Sequence, residues 1–536
     1  MSQNKKYYTL STHKTLYFLW VTTILFSATV FSSYAQISEG GTPPSFMYPA
    51  SQKTRSLQNK KNGIKNIYIP FSLDDLKADD ERMKEEFLPP RVAVLLPASF
   101  SPENSGVWST LPGGERIWQL RIMANKAKAI SLYYKKFNLP IGSKLFIYNS
   151  AHTHILGAYT HKTHPGKGKF ATEFVAGDDI ILEYVAPKSD EFPQNPEIEI
   201  EEIGYGYNYL SIKDSYSESL SGSCMVDINC EEGEQWQDHK NGVVKMIIPI
   251  GTSSFLCTGS ILNNTKEDLK PYLLTAFHCL LSSKEQASAS DLSQAQFFFR
   301  YENTTCGSNT PTSPVSMIGC TYIAGVPLEN GVDGALLLLN GKIPDNLNAY
   351  YNGWDRRNIA PQSGVCIHHP QGDVKKISTY DQPAVSDTWK SGSTQGLQDG
   401  HWNVIFKSTA NGHGVTEGGS SGAPLFDQNK RITGFLTGGN ANCTDRKEGR
   451  NLFGKLALFW DQCGTADDQR IDKYLDPIGS GVEYLDGRYA FPPKAVPEQV
   501  SAKWSSEEKR SIVNWEAPKG DEQPVRYKIY RNSTEI

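Results

Sequence analysis

The chain has 536 residues, a net charge of −4, 38% apolar residues and 21% charged ones. That length exceeds one hydrophobic core and points to about three domains. The balance is that of a globular protein, and the lack of a long basic run excludes a nucleic-acid partner, which needs a basic patch.

Lys5, Lys6 and Lys14 precede an apolar run from Leu16 to Val30, followed by Ser33-Tyr34-Ala35. Basic, apolar and small residues in this order predict a secretory signal peptide over 1–35, cleaved after Ala35. The run is short for a membrane anchor, and no later stretch is long and apolar enough to span a bilayer. Residues 36–90 are polar, with one charged helical stretch, DDLKADDERMKEEF.

From Val92 to Tyr209 short segments alternate apolar and polar residues: RVAVLLPASF, ERIWQLRIMA, AISLYYKKFNLP, KLFIYNS and DDIILEYVAP. This spacing predicts a cysteine-free β-sandwich or barrel. The stretch SIKDSYSESLSGS (211–223) is small and polar and reads as an exposed linker. All nine cysteines lie between Cys224 and Cys463, so only the middle of the chain is stapled.

From Cys224 to Tyr489 the strands return, in GVVKMIIPI, LCTGSILN, AQFFFRYEN, GALLLLN, RITGFLTGG and LFGKLALFW. The one helical stretch expected there is DDQRIDKYLD. About 265 mostly-β residues suffice for a double barrel. Beyond Pro492, Trp515 and the alternating YKIYRN resemble the first strands of a fibronectin type III sandwich, which needs about seven. The sequence stops before all seven could fit, so a truncated module is expected.

Three motifs of the middle region belong together, in the order His, Asp, Ser. LLTAFHC ends in His278-Cys279, GVDGALLLLN carries Asp333 ahead of an apolar strand, and TEGGSSGAPLF carries Ser421 among glycines. A serine hydroxyl is a poor nucleophile. It needs a neutral imidazole to take its proton and a carboxylate to fix that imidazole's tautomer. A glycine-rich turn lets the N–H groups of Gly419 and Ser421 point at one developing oxyanion. Each motif alone reads as structural or as a turn; their order in a cysteine-stapled β region is specific.

TAFHC and GSSGAP resemble the histidine and serine motifs of chymotrypsin-fold serine proteases. The nearer resemblance, over about Gly222 to Gly487, is to the bacterial lysyl endopeptidase group, through GSCMVDINC, CTGSILNNT, LLTAFHC, GWDRR, IHHP, GVTEGGSSGAPLF, YLDPIGSG and YLDG. IWQLRI and GDDIILEY resemble the propeptide region of such enzymes. The resemblance implies a propeptide over 36–218, a protease domain over 219–490, and the linker and partial module over 491–536. It implies a secreted endopeptidase with His278 as general base, Asp333 as its orienting partner, Ser421 as nucleophile, and an oxyanion hole from Gly419 and Ser421. Its implied disulfides are Cys224–Cys443, Cys230–Cys306 and Cys257–Cys279; Cys320, Cys366 and Cys463 have no counterpart. Its partners would be protein or peptide substrates and its own pro-domain, with no cofactor. The slow-folding, non-local strand pairing of a double barrel gives that pro-domain a folding role.

Departures from the resemblance shape further expectations. Ser420 stands where animal trypsins have an aspartate that pairs with the new N-terminus, so activation by that ion pair is not expected. Adjacent His368 and His369 face opposite ways in a strand and read as structural, not metal-binding. In lysyl endopeptidases an aspartate at the base of the primary pocket holds the substrate lysine. Alignment on Gly454 puts Asn451 there, and Thr437 replaces a histidine that stacks on a tryptophan, here Trp389. The expected pocket is therefore not strictly lysine-selective, unless the register slips and Asp445 or Glu448 supplies the carboxylate. Arg446, Lys447 and Arg450 stand near enough to favour acidic side chains in a substrate, but read first as solvated loop charge. Alignment with the family places maturation at Glu218–Ser219, whereas a lysine-directed self-cut would use Lys213–Asp214. Two other functions remain open at this point, a catalytically silent protease-fold binding protein and an esterase, although an esterase would use the order Ser, Asp, His.

Overall fold

The computed structural model describes residues 38–48, 63–165, 168–188, 193–208, 220–444, 449–491, 498–505, 510–516, 530–531 and 534–535. The expected signal peptide and most of the 211–223 linker lie outside the described residues. No helix among the described residues is long and apolar enough to cross a membrane.

The charged stretch near the N-terminus forms the helix Leu73–Glu85, started by the Ser72 side chain accepting from Asp74 N and by Asp74 and Asp75 in its first turn. The strands that follow build a sandwich. One sheet contains Arg116–Ala124, Asp179–Val185 and Lys144–Asn149; the other contains Arg91–Phe100, Glu197–Gly206 and Ala129–Asn138. Period-two alternation decides what goes inside. Trp118, Leu120 and Ile122 meet Ile130, Leu132 and Tyr134, with Ile180, Leu182 and Tyr184, in one buried core.

The cysteine-containing region has further cores, one of them holding Leu274, Trp354, Phe435 and Trp460. The first barrel holds Val244, Met246, Ile248, Leu273, Phe297 and Leu337. The second holds Cys366, Tyr380, Trp402, Leu425, Leu436 and Phe453. The first barrel opens with the hairpin Val243–Ile250 and Ser253–Leu262, whose two-residue turn places Gly251 at φ 57°. A positive φ at that position matches the turn to the twist of the strands.

The sandwich is not separate from this barrel. Arg91–Phe100 pairs on one edge with Glu197–Gly206 and on the other with the barrel strand Ser253–Leu262, at Phe255↔Arg91, Ser254↔Ala93 and Ser253↔Val94. One twelve-stranded sheet therefore runs through both. Val92, Ala93, Ala129 and Phe174 bury Ile247, Leu256 and Phe298 across the seam.

Three expectations are corrected. LFGKLALFW is not one strand: Asn451–Lys455 is, and Leu456–Asp461 is a helix with Leu456 to Trp460 buried. An unbroken apolar run buried on all sides carries no period that separates helix from strand. DDQRIDKYLD is not a continuous helix but a 3-10 turn at Asp467–Gln469 and a single turn at Asp472–Leu475. The linker is not exposed throughout: Ser221 is buried with its N–H and Oγ on Asp373, while Ser223 is exposed. At the C-terminus, Glu498–Ser505 pairs with Arg510–Glu516, and Tyr530–Arg531 with Thr534–Glu535.

Cys224 is bonded to Cys443, Cys230 to Cys306 and Cys257 to Cys279. Cys320 and Cys366 are buried thiols and Cys463 is half-buried.

Candidate active site

The strand Tyr272–Ala276 turns into the short 3-10 segment Phe277–Leu280, which carries His278. Its antiparallel neighbour Gly334–Leu339 begins opposite it, with Ala276 paired to Gly334, so Asp333 falls beside His278. Asp333 is fully buried and sits at φ 63°. This conformation is uncommon for an aspartate and is held by its partners. Phe277 N donates to Asp333 O at 2.8 Å, and His278 N donates to Asp333 Oδ1 at 2.9 Å. The second carboxylate oxygen lies 2.7 Å from His278 Nδ1. A carboxylate only accepts, so Nδ1 carries the proton and Nε2 is left as the acceptor. That Nε2 is buried with no hydrogen-bond partner among the described residues.

Ser421 comes from the second barrel. Gly419 and Gly422 adopt φ 91° and 81°, and the turn closes through Ser420 N to Glu417 O and Ala423 N to Ser420 O, both 2.9 Å. It is stitched onto the first barrel by Thr258 N to Ser421 O at 2.9 Å and by Thr258 Oγ1 to Gly419 O at 2.8 Å. At Gly422 a Cβ would lie 2.1 Å from Thr275 Oγ1 and 2.7 Å from Ala276 N. Glycine thus lets the turn lie directly on the strand that ends in His278. Among the described residues, neither Gly419 N–H nor Ser421 N–H is engaged in a hydrogen bond.

The turn also has a polar support that sequence reasoning did not assign. Ser378 Oγ donates to Val415 O and lies 3.1 Å from His368 Nε2, which therefore donates to it. His368 Nδ1 then accepts from Ser420 Oγ at 2.7 Å, and Ser420 Oγ in turn accepts from Glu417 N at 3.2 Å. The Glu417 carboxylate accepts from Gly222 N at 3.2 Å through both oxygens, and burial raises its pKa. His369 points elsewhere, with Nδ1 3.0 Å from Asp373 O.

The pocket residues are brought together. Trp389, Thr437 and Asn451 are all buried. Asn451 is satisfied at both ends: Oδ1 accepts from Thr416 Oγ1 at 2.9 Å and Nδ2 donates to Val404 O at 3.0 Å. Beside Thr437 stands His401, missed from sequence because it comes from another strand. Its Nε2 is 3.2 Å from Thr437 Oγ1 and its ring centroid 6.3 Å from that of Trp389. Arg450 stays partly exposed and pairs with Asp387 at 2.6 Å. Arg446, Lys447, Asp445 and Glu448 lie outside the described residues.

Burial lowers the pKa of His401 and His239 to about 4 and that of His368 to about 3. A depressed folded-state pKa stabilises above the unfolded value, near 6.5, and that stability is lost as the pH falls through the folded value. The melting temperature is therefore expected to be flat from pH 8 to 7 and to fall steadily from about pH 6.5 to pH 4. A melting temperature unchanged across that range would contradict neutral burial of these rings.

Comparison with known proteins gives the site a context. Residues 219–454 match the family model for the C-terminal domain of lysyl endopeptidase. A lysyl endopeptidase of Pseudomonas aeruginosa is 30% identical over 315 residues, 56% of this chain and 62% of that protein. A secreted RxLR effector protein of Plasmopara viticola is 22% identical over 267 residues, 47% of this chain and 62% of that protein. The chain thus spans 62% of the length of each of these relatives. Among solved structures, a thermostable serine protease from an extremophilic microorganism matches at 15% identity and a TM-score of 0.29, over 40% of this chain and 91% of that one. The resemblance to trypsin-like serine proteases, and to lysyl endopeptidases among them, holds over the region that carries His278, Asp333 and Ser421.

Proposed function

We propose, with the lysyl endopeptidase likeness of residues 219–454 as premise, that the chain is a secreted serine endopeptidase made as a precursor with an N-terminal pro-domain. The observation that carries this reading is the buried 2.7 Å pair of His278 Nδ1 and Asp333 Oδ2, with Nε2 without a hydrogen-bond partner among the described residues and the turn that holds Ser421 packed on Thr275 and Ala276. Ser421 Oγ attacks the substrate carbonyl while His278 Nε2 takes its proton. Asp333 stays ionised and steadies the imidazolium. The oxyanion is met by the N–H groups of Gly419 and Ser421. His278 then gives its proton to the leaving amine, and water releases the acyl group by the same steps reversed. Labelling with a fluorophosphonate together with casein digestion tests the reading. Labelling without digestion would point to esterase chemistry, and neither would point to a silent relative.

The pocket floor supports a preference that is not strictly for lysine. Asn451 is neutral and both ends of its amide are occupied. It cannot compensate an ammonium taken out of water, which costs several kcal/mol when uncompensated. A peptide-library digest read by mass spectrometry is expected to show cuts after uncharged as well as basic residues. Cleavage almost wholly after lysine, with maturation at Lys213–Asp214, would overturn this and assign the pocket acid to Asp445 or Glu448.

The shared sheet supports a folding role for the pro-domain. Its strand Arg91–Phe100 pairs with the start of Ser253–Leu262, a strand of the barrel's opening hairpin. Expression of 219–490 alone is expected to give little active enzyme, with the yield raised by adding 36–218 in trans. Equal yields would remove the folding role.

A further inference from the structure

The N-terminal unit does more than share a sheet with the barrel. Between its helix and its first long strand, residues 86–90 (Glu-Phe-Leu-Pro-Pro) run across the turn that holds Ser421. Phe87 lies edge-on to Trp389 with centroids 5.1 Å apart, and it is the neighbour a Cβ at Gly438 would meet at 3.9 Å. This end of the segment therefore sits over the pocket residues. Pro90 lies at the other side of the nucleophile turn, where a Cβ on Gly418 would come 2.8 Å from its Cγ. Pro90 O accepts from Leu256 N at 2.9 Å, and from Arg91 onward the chain is an added strand on Ser253–Phe255.

Backbone hydrogen bonding to a sheet edge, with side chains seated in flanking pockets, is how a cleft grips an extended peptide. The segment reproduces that grip in cis. His278 itself is only 7% exposed in this chain, although a general base must meet substrate. Both ends of the segment are fastened. Arg91 pairs with Asp80 at 2.7 Å and donates to Tyr207 OH at 2.9 Å, which ties the strand back to the helix. Leu88 N donates to Met83 O at 3.0 Å, and Met83 is buried in the core of the first barrel. Pro89 and Pro90 offer no N–H, and their rings fix φ near −65°, which limits how the strap can bend toward Ser421.

We infer that residues 86–94 are a substrate-like strap that holds the uncut chain inactive by occupying the cleft on both sides of Ser421, with Ser253–Phe255 as the docking edge for the chain beyond the scissile bond. The inference rests on the peptidase reading above. A site that is competent only when the strap has lifted has its apparent reactivity reduced by that fraction.

The test labels the full-length chain with a fluorophosphonate during maturation and separates uncut from processed protein on a gel, so each form reports its own Ser421. The uncut band is expected to label at least about tenfold more slowly than the processed one. Phe87→Ala with Leu88→Ala should raise labelling of the uncut band by about tenfold. Phe87 is 39% exposed and Leu88 is only partly buried, so the fold should survive. As a second measurement, a peptide of residues 84–95 should compete with substrate for the processed enzyme, and its scrambled version should not. Equal labelling of the two unmodified bands, or no inhibition by the peptide, overturns the strap and leaves the peptidase reading standing. No labelling of either band overturns both.

Discussion

Replacing Ser421 with alanine is expected to lower peptide hydrolysis about a million-fold, the scale on which loss of a triad nucleophile acts. The substitution removes one oxygen from a turn whose shape is set elsewhere. Ser421 contributes its carbonyl to Thr258 N, and the polar support of the turn runs through Ser420 and His368. The melting curve should therefore stay close to that of the unmodified chain while turnover disappears. His278→Ala should lose about as much, because the hydroxyl then has no proton acceptor. The measurement is kcat/KM on a peptide with melting recorded in parallel. More than a trace of hydrolysis by the alanine variant would remove Ser421 from the chemistry.

Asp333→Asn is expected to lower turnover roughly ten-thousand-fold without unfolding the chain. The reason lies in the two hydrogen bonds that converge on this carboxylate. One oxygen accepts from the backbone N of His278 and the other faces Nδ1. An asparagine keeps its oxygen toward the backbone N–H, since its amide nitrogen there would set donor against donor. The NH₂ then faces Nδ1, which must accept, and the ring proton moves to Nε2. A protonated Nε2 cannot take the proton of Ser421. A loss below tenfold in kcat/KM would contradict the orienting role.

The residues proposed for the chemistry were more legible than their surroundings. His278, Asp333 and Ser421 stand in motifs whose residue types would serve the proposed reaction. The sandwich strands were readable because Trp118, Leu120 and Ile122, and Ile180, Leu182 and Tyr184, alternate with the residues of the other face. What stayed hidden depends on pairing between distant segments. No local pattern announces that Arg91 will lie opposite Phe255, or that His401 will reach Thr437 from another strand. The Leu456–Asp461 helix was hidden for a different reason, because Leu456 to Trp460 are buried all round and show no period. Asn451 was placed by alignment, but the occupancy of both ends of its amide needed Thr416 and Val404.

The hydrogen-bond chain from Ser378 through His368 to Ser420 bears on the time course of the proposed maturation. In the uncut chain this relay already fixes the nucleophile turn, and it draws on no newly created terminus. A protease whose reactive loop must be rebuilt after the cut shows a delay between scission and activity, as the new end finds its socket. Here the loop is set beforehand, so activity should rise in step with departure of the N-terminal unit. Stopped at any moment, the reaction should contain released molecules that are fully competent, with no cut but sluggish population among them.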